Sequence, residues 1–212
     1  MTWPVSWPKA IFDCIWPFPH RSAASPGGAS TCDVKWPRLA RGAGRNARAG
    51  APRDAAADAE VVLLAVPWSR LDHVLKQAGD LSGKIILSCS LPMNADDTGL
   101  ALGRETSGSE ELARRFPDGH VVAAFSTVPS EVLFGVFESR KRKRPSLVYC
   151  GDDARAKQVA AGLIRDAGFD PIDAGPLRIA RYTEPFSLLI GQLAYEGSES
   201  PALAYRFERN DG

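Results

Sequence analysis

Three features of the sequence predict an α/β fold built on a doubly wound, mostly parallel sheet. The run VVLLAV, Val61 to Val66, is uninterruptedly apolar, as a parallel strand covered on both faces has to be. Further short apolar runs follow at Ile85 to Cys89, His120 to Phe125 and Leu147 to Cys150. Segments of helical period lie between them, and strands alternating with helices bury both faces of one sheet.

Each element has its own local reason. After VVLLAV, Leu71, Val74, Leu75 and Ala78 recur at i, i+3, i+4 and i+7, and Gly83 precedes the strand at Ile85. The polar stretch MNADDTG is a loop. Ser107 with Glu110 three residues on has the spacing of a capping box, ahead of a short helix with an apolar face of Leu112, Ala113 and Phe116. His120 to Phe125 and Leu147 to Cys150 are strands, the second ended by Gly151. Asp152 or Asp153 caps a helix that buries Ala156, Val159, Ala160, Leu163 and Ile164 and that Gly168 terminates. FDPIDAG is the last strand. Phe186, Leu189, Ile190, Leu193 and Ala194 then form the apolar stripe of a C-terminal helix, with Pro185 tolerated near its start.

Residues 1–46 break the pattern. Trp3-Pro4, Trp7-Pro8, Trp16-Pro17 and Trp36-Pro37 repeat a Trp-Pro pair, SAASPGG follows the third, and only AIFDCIW, Ala10 to Trp16, reads as a short strand. A nucleotide-binding turn needs G-x-G-x-x-G between a strand and a helix, so that backbone N–H groups and the helix N-terminus meet the pyrophosphate. Gly42 and Gly44 begin a partial match, yet VKWPRLAR before them is basic and proline-broken, and Val61 follows too soon for the intervening helix and strand. Gly27-Gly28 have more room, but ASTCDVKWPRL after them has no helical period. The expected organisation is an irregular, Trp/Pro-rich segment at 1–46, disordered or frame-shifted, which replaces the first strand, loop and helix. An incomplete nucleotide-binding domain with a C-terminal helical portion follows at 47–212.

Composition narrows the partner. The 26 Lys and Arg nearly cancel the 25 Asp and Glu, so net charge favours neither nucleic acid nor an anionic membrane, and a small molecule is the expected ligand. Cys14, Cys32, Cys89 and Cys150 contain no C-x-x-C and are expected as buried thiols in a reducing cytoplasm. No apolar run approaches the roughly 20 residues of a membrane span, and the proline-rich N-terminus makes no signal peptide. A soluble, cytoplasmic protein is expected. His20, His73 and His120 are scattered, and no His/Cys/carboxylate spacing points to a metal. Asp96-Asp97 suits a turn and Asp152-Asp153 a cap. RKRKR, Arg140 to Arg144, is a solvated loop or a holder of an anionic tail, and Arg178 and Arg181 have surface or salt-bridge roles.

Five stretches carry a family resemblance: ADAEVVLLAVPW at Ala57 to Trp68, KIILSCSLPM at Lys84 to Met93, VVAAFSTVPSEVLF at Val121 to Phe134, VYCGDD at Val148 to Asp153 and GFDPIDAGPLRIARYTEP at Gly168 to Pro185. In this order, from about Ala47 to Arg209, the chain resembles the deazaflavin-dependent NADP oxidoreductases, which exchange hydride between NADPH and the 8-hydroxy-5-deazaflavin coenzyme (F420). The resemblance implies a Rossmann-like fold, NADP, and a deazaflavin or another hydride acceptor. Family members open with a strand, a glycine loop, a helix and a second strand; residues 1–46 resemble none of it.

Hydride transfer between two bound rings needs no acid, base or nucleophile, so no catalytic residue is assigned. Ligand contacts are expected from loops at the carboxyl ends of strands. These are Val66-Pro67-Trp68, Ser90-Leu91-Pro92 and Ser126-Thr127-Val128-Pro129. By the resemblance the first lies along NADP and the other two approach the nicotinamide and deazaflavin rings. Leu91 and Ser126 depart from relatives that carry Asn, or Asn or His, at those places. Each proline also serves as a strand terminator, and Trp68, opening a helix, also suits packing. Two alternatives remain open: an NADPH reductase of another acceptor, such as a flavin, a metal chelate or an imine, and a non-catalytic protein that dimerises through its C-terminal helix.

Composition and pattern both break near Ala47, which leads to the expectation that residues 1–46 come from a shifted reading frame or a wrongly assigned start. Translating the encoding DNA and its upstream flank in all three frames should then yield an apolar strand followed by G-x-G-x-x-G that joins coherently at Ala47. A DNA sequence with no such frame overturns that expectation.

Overall fold

The computed structural model describes residues 10–12, 50–102, 105–139, 143–196 and 200–210. In chain order the described elements are β1 (Ala10–Phe12), α1 (Pro52–Ala57), β2 (Val61–Leu64), α2 (Trp68–Ala78), β3 (Ile85–Ser88), α3 (Gly108–Arg115), β4 (His120–Ala123), α4 (Ser130–Ser139), β5 (Ser146–Gly151), α5 (Ala154–Asp166), β6 (Asp170–Asp173), a 3₁₀ turn (Leu177–Ile179) and α6 (Ala180–Tyr195). The strands lie in the order β1-β2-β3-β4-β5-β6, and all neighbours are parallel except β4 and β5.

The sheet is Rossmann-like and mostly parallel, as the sequence predicts, but both faces are covered for a reason the sequence did not disclose. In the usual doubly wound sheet the strand order reverses at a switch point. Here the order runs consecutively and β5 turns over instead. Parallel crossovers are right-handed, so a helix returning between upward strands covers one face, and one between downward strands covers the other. Leu71 and Leu75 of α2 and Leu112 of α3 accordingly share a core with Val62, Leu64, Ile86, Val121 and Ala123. Ala156, Ala160 and Ile164 of α5 share the other with Val61, Ile85, Leu87, Val122 and Leu147. Alternate residues of β2, β3 and β4 thus divide between two cores, as the period of two along a strand requires.

The elements stop where local bonding changes. VVLLAV leaves the ladder after Leu64, because the Val66 carbonyl accepts from the Ser90 hydroxyl at 2.7 Å instead of from a neighbouring strand. β4 ends at Ala123, two residues before Phe125, which has φ +68°. Gly168, at φ +96°, ends α5 as predicted, and a Cβ there would stand 3.1 Å from the Val136 carbonyl oxygen. β6 carries Pro171 at the sheet edge, where a missing N–H costs nothing.

Two helices escape the sequence reading and one expectation needs correction. SEVLFGVFES forms α4, which sequence reasoning passed over because its apolar residues crowd together without a clean helical period. PRDAAA forms α1, too short to show a period at all. The apolar stripe of α6 divides: Ile190 and Ala194 are buried, while Leu189 and Leu193 are 53% and 58% exposed. The inward face of α6 is completed by small and polar residues, Ala180, Thr183, Glu184, Ser187 and Gly191, that a search for apolar periodicity discards. Among the described residues, no helix is long and apolar enough to cross a membrane.

Candidate functional site

β2, β3 and β4 are adjacent and parallel, so their carboxyl ends and the three predicted loops lie along one edge of the sheet. Bonding between the loops is direct. Leu64 O accepts from the Cys89 N–H at 3.1 Å, the Ser90 hydroxyl donates to Val66 O, and the Ala124 N–H donates to Ser88 O at 3.0 Å.

Most of the ten predicted residues are buried. Val66, Ser90, Leu91, Thr127 and Val128 are buried, as are Pro92 and Pro129. Pro67, Trp68 and Ser126 are partly exposed, and so is Phe125 beside them. The Arg115 guanidinium lies 5.9 Å from the centre of the Trp68 ring and also pairs with Asp72. Trp68 also meets the start of α3: a Cβ added at Gly108 would stand 3.2 Å from its ring and 3.0 Å from Pro92 Cδ. Gly108 therefore lets the start of α3 press against two of the three loops at once.

That helix start is bonded throughout. The Ser107 side chain accepts from the Glu110 N–H, as the capping spacing predicts, and its hydroxyl donates to Glu110 Oε2 at 2.9 Å. The Gly108 and Ser109 N–H groups donate to the carboxylate of Glu184 at 2.9 and 3.0 Å, and the Ser109 hydroxyl adds a third bond at 3.0 Å. Glu184 belongs to α6 and is 3% exposed. Burial pushes its carboxyl above the ordinary range, and the donors of α3 pull it back in part. One turn away Arg181 grips Glu110 through two bonds of 2.8 and 2.7 Å, which hold that carboxyl below its ordinary value. Farther along α6, the Ser187 hydroxyl lies 3.1 Å from that of Ser126.

Sequence reasoning missed Glu184, Ser187 and Phe125. The strained φ of Phe125 has no signature in a single sequence, since a bulky aromatic normally avoids the left-handed region. Glu184 and Ser187 carried a usable signal, polar residues three apart on a helix flanked by small ones. Cys150 is buried, with its thiol pushed up to about 12 by desolvation, so it is an inert core residue. Among the described residues no His/Cys/Asp/Glu group is arranged to hold a metal. Cys14, Cys32, Gly27-Gly28, Gly42, Gly44 and part of the RKRKR run lie outside the described residues.

Residues 33–92 match the family described as NADP oxidoreductase coenzyme F420-dependent, a match that begins ahead of Ala47. The chain is 30% identical over 135 residues to the metalloreductase STEAP3 of Rattus norvegicus, covering 64% of this chain and 26% of that protein. It is 30% identical over 146 residues to the F420-dependent NADP reductase of Methanocaldococcus jannaschii, covering 66% of this chain and 64% of the archaeal one. It thus spans about a quarter of the first relative and just under two thirds of the second. In fold it is similar to a crystal structure from Arthrobacter sp. FB24 described as an F420-dependent NADP-reductase, with TM-score 0.68 and 27% identity over 76% of this chain and 74% of that one.

The Glu110–Arg181 clamp has a pH signature. Because the folded carboxyl of Glu110 lies below its unfolded value of about 4.5, its contribution is present above that pH and is lost as pH falls through the lower folded value. Glu110→Gln should lower stability at pH 7 by about 1 kcal/mol, solvent screening of the partly exposed Arg181 included. It should also flatten the acid limb of a urea-midpoint profile below about pH 4.5 relative to wild type.

Proposed function

The chain is a relative of the F420-dependent NADP oxidoreductase family, and from that premise we propose that it transfers hydride between NADP(H) and a deazaflavin-type coenzyme. The observation that carries this reading is the common edge formed by the loops after β2, β3 and β4. Two rings that exchange a hydride have to be held face to face at short range, and the protein's task is orientation and exclusion of water.

The residues present fit a ring better than a pyrophosphate. Pro67, Trp68, Phe125 and Ser126 offer partly exposed apolar and aromatic surface with one hydroxyl, the lining that suits a flat heterocycle. Val66, Leu91, Thr127 and Val128, buried as side chains, contribute through their backbone and by shaping the wall. Bound NADPH supplies the hydride from its nicotinamide ring. The pyrophosphate end is different, since no described residue forms a glycine-rich turn. β1 pairs with β2 in the register Ala10↔Val61 to Phe12↔Leu63, which fills the place beside β2, but the next glycine in the sequence after Phe12 is Gly27.

A second reading has its own observation. Tyr182, Leu189 and Leu193 of α6 are 69%, 53% and 58% exposed, and their spacing of seven and four places them in one stripe along the helix. An apolar stripe of that kind suits a second copy of the chain, as a dimer with or without catalysis.

Titration with NADPH, followed by absorbance of the deazaflavin chromophore on adding that coenzyme, should show binding and then bleaching. Bleaching of a flavin, or reduction of a ferric chelate, without reaction of the deazaflavin would move the acceptor to that class, and no NADPH binding would sink the hydride reading altogether. For the second reading, Leu189→Glu with Leu193→Glu should halve the mass measured by light scattering. An unchanged mass would count against a dimer through α6.

A further inference from the structure

Tyr205 lies in the irregular segment 200–210, remote in sequence from the sheet, yet its hydroxyl reaches the candidate site. The Tyr205 oxygen accepts from the Val148 N–H at 3.2 Å and lies 2.7 Å from Thr127 Oγ1. Either hydroxyl can donate in that short pair, so the phenol links the β5 backbone to Thr127 whichever way the hydrogen points. The ring is held edge-on by Phe186 and Phe207, at 5.1 and 5.4 Å between centres. The backbone is fixed as well, since the Ser146 N–H donates to Tyr205 O at 2.8 Å and the Phe207 N–H donates to Ser146 Oγ at 2.9 Å. Burial pushes the phenol above its ordinary value, so it remains neutral across the physiological range.

Thr127, only 1% exposed, follows Phe125 by two residues. A bulky residue at positive φ stays there only when its surroundings hold it. Ser187 holds the loop at Ser126, and Tyr205 holds it at Thr127. We propose that Tyr205 is a positioning residue, which through Thr127 fixes the loop Ser126 to Pro129 against the ring-binding edge and makes the C-terminal segment a working part of the site. The loop-ordering half of this stands on the geometry alone, whereas its effect on ligand affinity rests on the hydride-transfer reading.

The test uses hydrogen exchange on the full chain with Tyr205→Phe, which keeps the ring and removes both hydroxyl contacts. Exchange at residues 125–128 should quicken by about tenfold while α2 and α5 stay unchanged. Thr127→Val cuts the same contact from the loop side, and serves if Tyr205→Phe loses the fold; the double variant should exchange no faster than the faster single one. Affinity for NADP⁺ should fall by about tenfold in Tyr205→Phe, with affinity for 2′,5′-ADP, which lacks the nicotinamide ring, unchanged. Unaltered loop exchange in both variants overturns the proposal, and so does an equal loss for both ligands, which marks general destabilisation. A wild-type chain that binds neither ligand overturns the hydride reading alone, and loop exchange still decides the role of Tyr205.

Discussion

The buried carboxylate of Glu184 at the start of α3 is the contact on which the arrangement of the candidate site depends. Taking a carboxylate out of water costs several kcal/mol unless donors replace the lost hydration. Two backbone N–H groups and a hydroxyl replace it here, at the helix end where the dipole favours negative charge. The bargain is mutual, because the first N–H groups of α3 have no partners within the helix. Gly108, one of the two donors, also packs on Pro92 and Trp68, so a contact between two helices sets the position of two loops. A variant that removed the carboxylate would leave donors and loops unsupported together.

α6 thereby acts as a bolt across the loop edge. Arg181 fastens Glu110, Glu184 fastens Gly108 and Ser109, and Ser187 reaches Ser126, so successive turns of one helix hold the start of α3, which packs through Gly108 on the loops after β2 and β3, and the loop after β4. The reversal of β5 makes this geometry available. With β5 running antiparallel to β4, its amino end lies on the side of the sheet where β4 has its carboxyl end. Tyr205, bonded to Val148 near that end, is delivered to the same edge. The C-terminal part of the chain and the loops of the sheet therefore meet in one place.

β2 is an apolar strand with neighbours on both sides, and Ala10–Phe12 supplies one of them. An unpaired β2 would expose its N–H and C=O groups along a hydrophobic strand, a template for aggregation. Filling that place satisfies the sheet; nucleotide chemistry asks for something further. The two demands are separable: a strand needs only three extended residues in register, whereas a phosphate cradle needs glycines whose backbone can approach the ligand.

Much of the fold was legible in the sequence, because strands buried on both faces and helices with one apolar face write their periods directly into it. VVLLAV, the Ser107–Glu110 spacing, Asp153 as a cap and Gly168 as a terminator all kept their predicted roles. The loops that end β2, β3 and β4 were legible as well, since carboxyl ends of parallel strands follow from strand order. What each loop residue does was not. Whether Leu91 or Thr127 faces a ligand or the core depends on what packs behind it, and what packs there comes from residues as distant as Glu184 and Tyr205. The reversed β5, the split face of α6 and the left-handed Phe125 were likewise decided in three dimensions. Local periodicity records which residues avoid water; it does not record which partners satisfy a buried polar group, and Gly108 with Glu184, Thr127 with Tyr205 and Ser126 with Ser187 lie 61 to 78 residues apart.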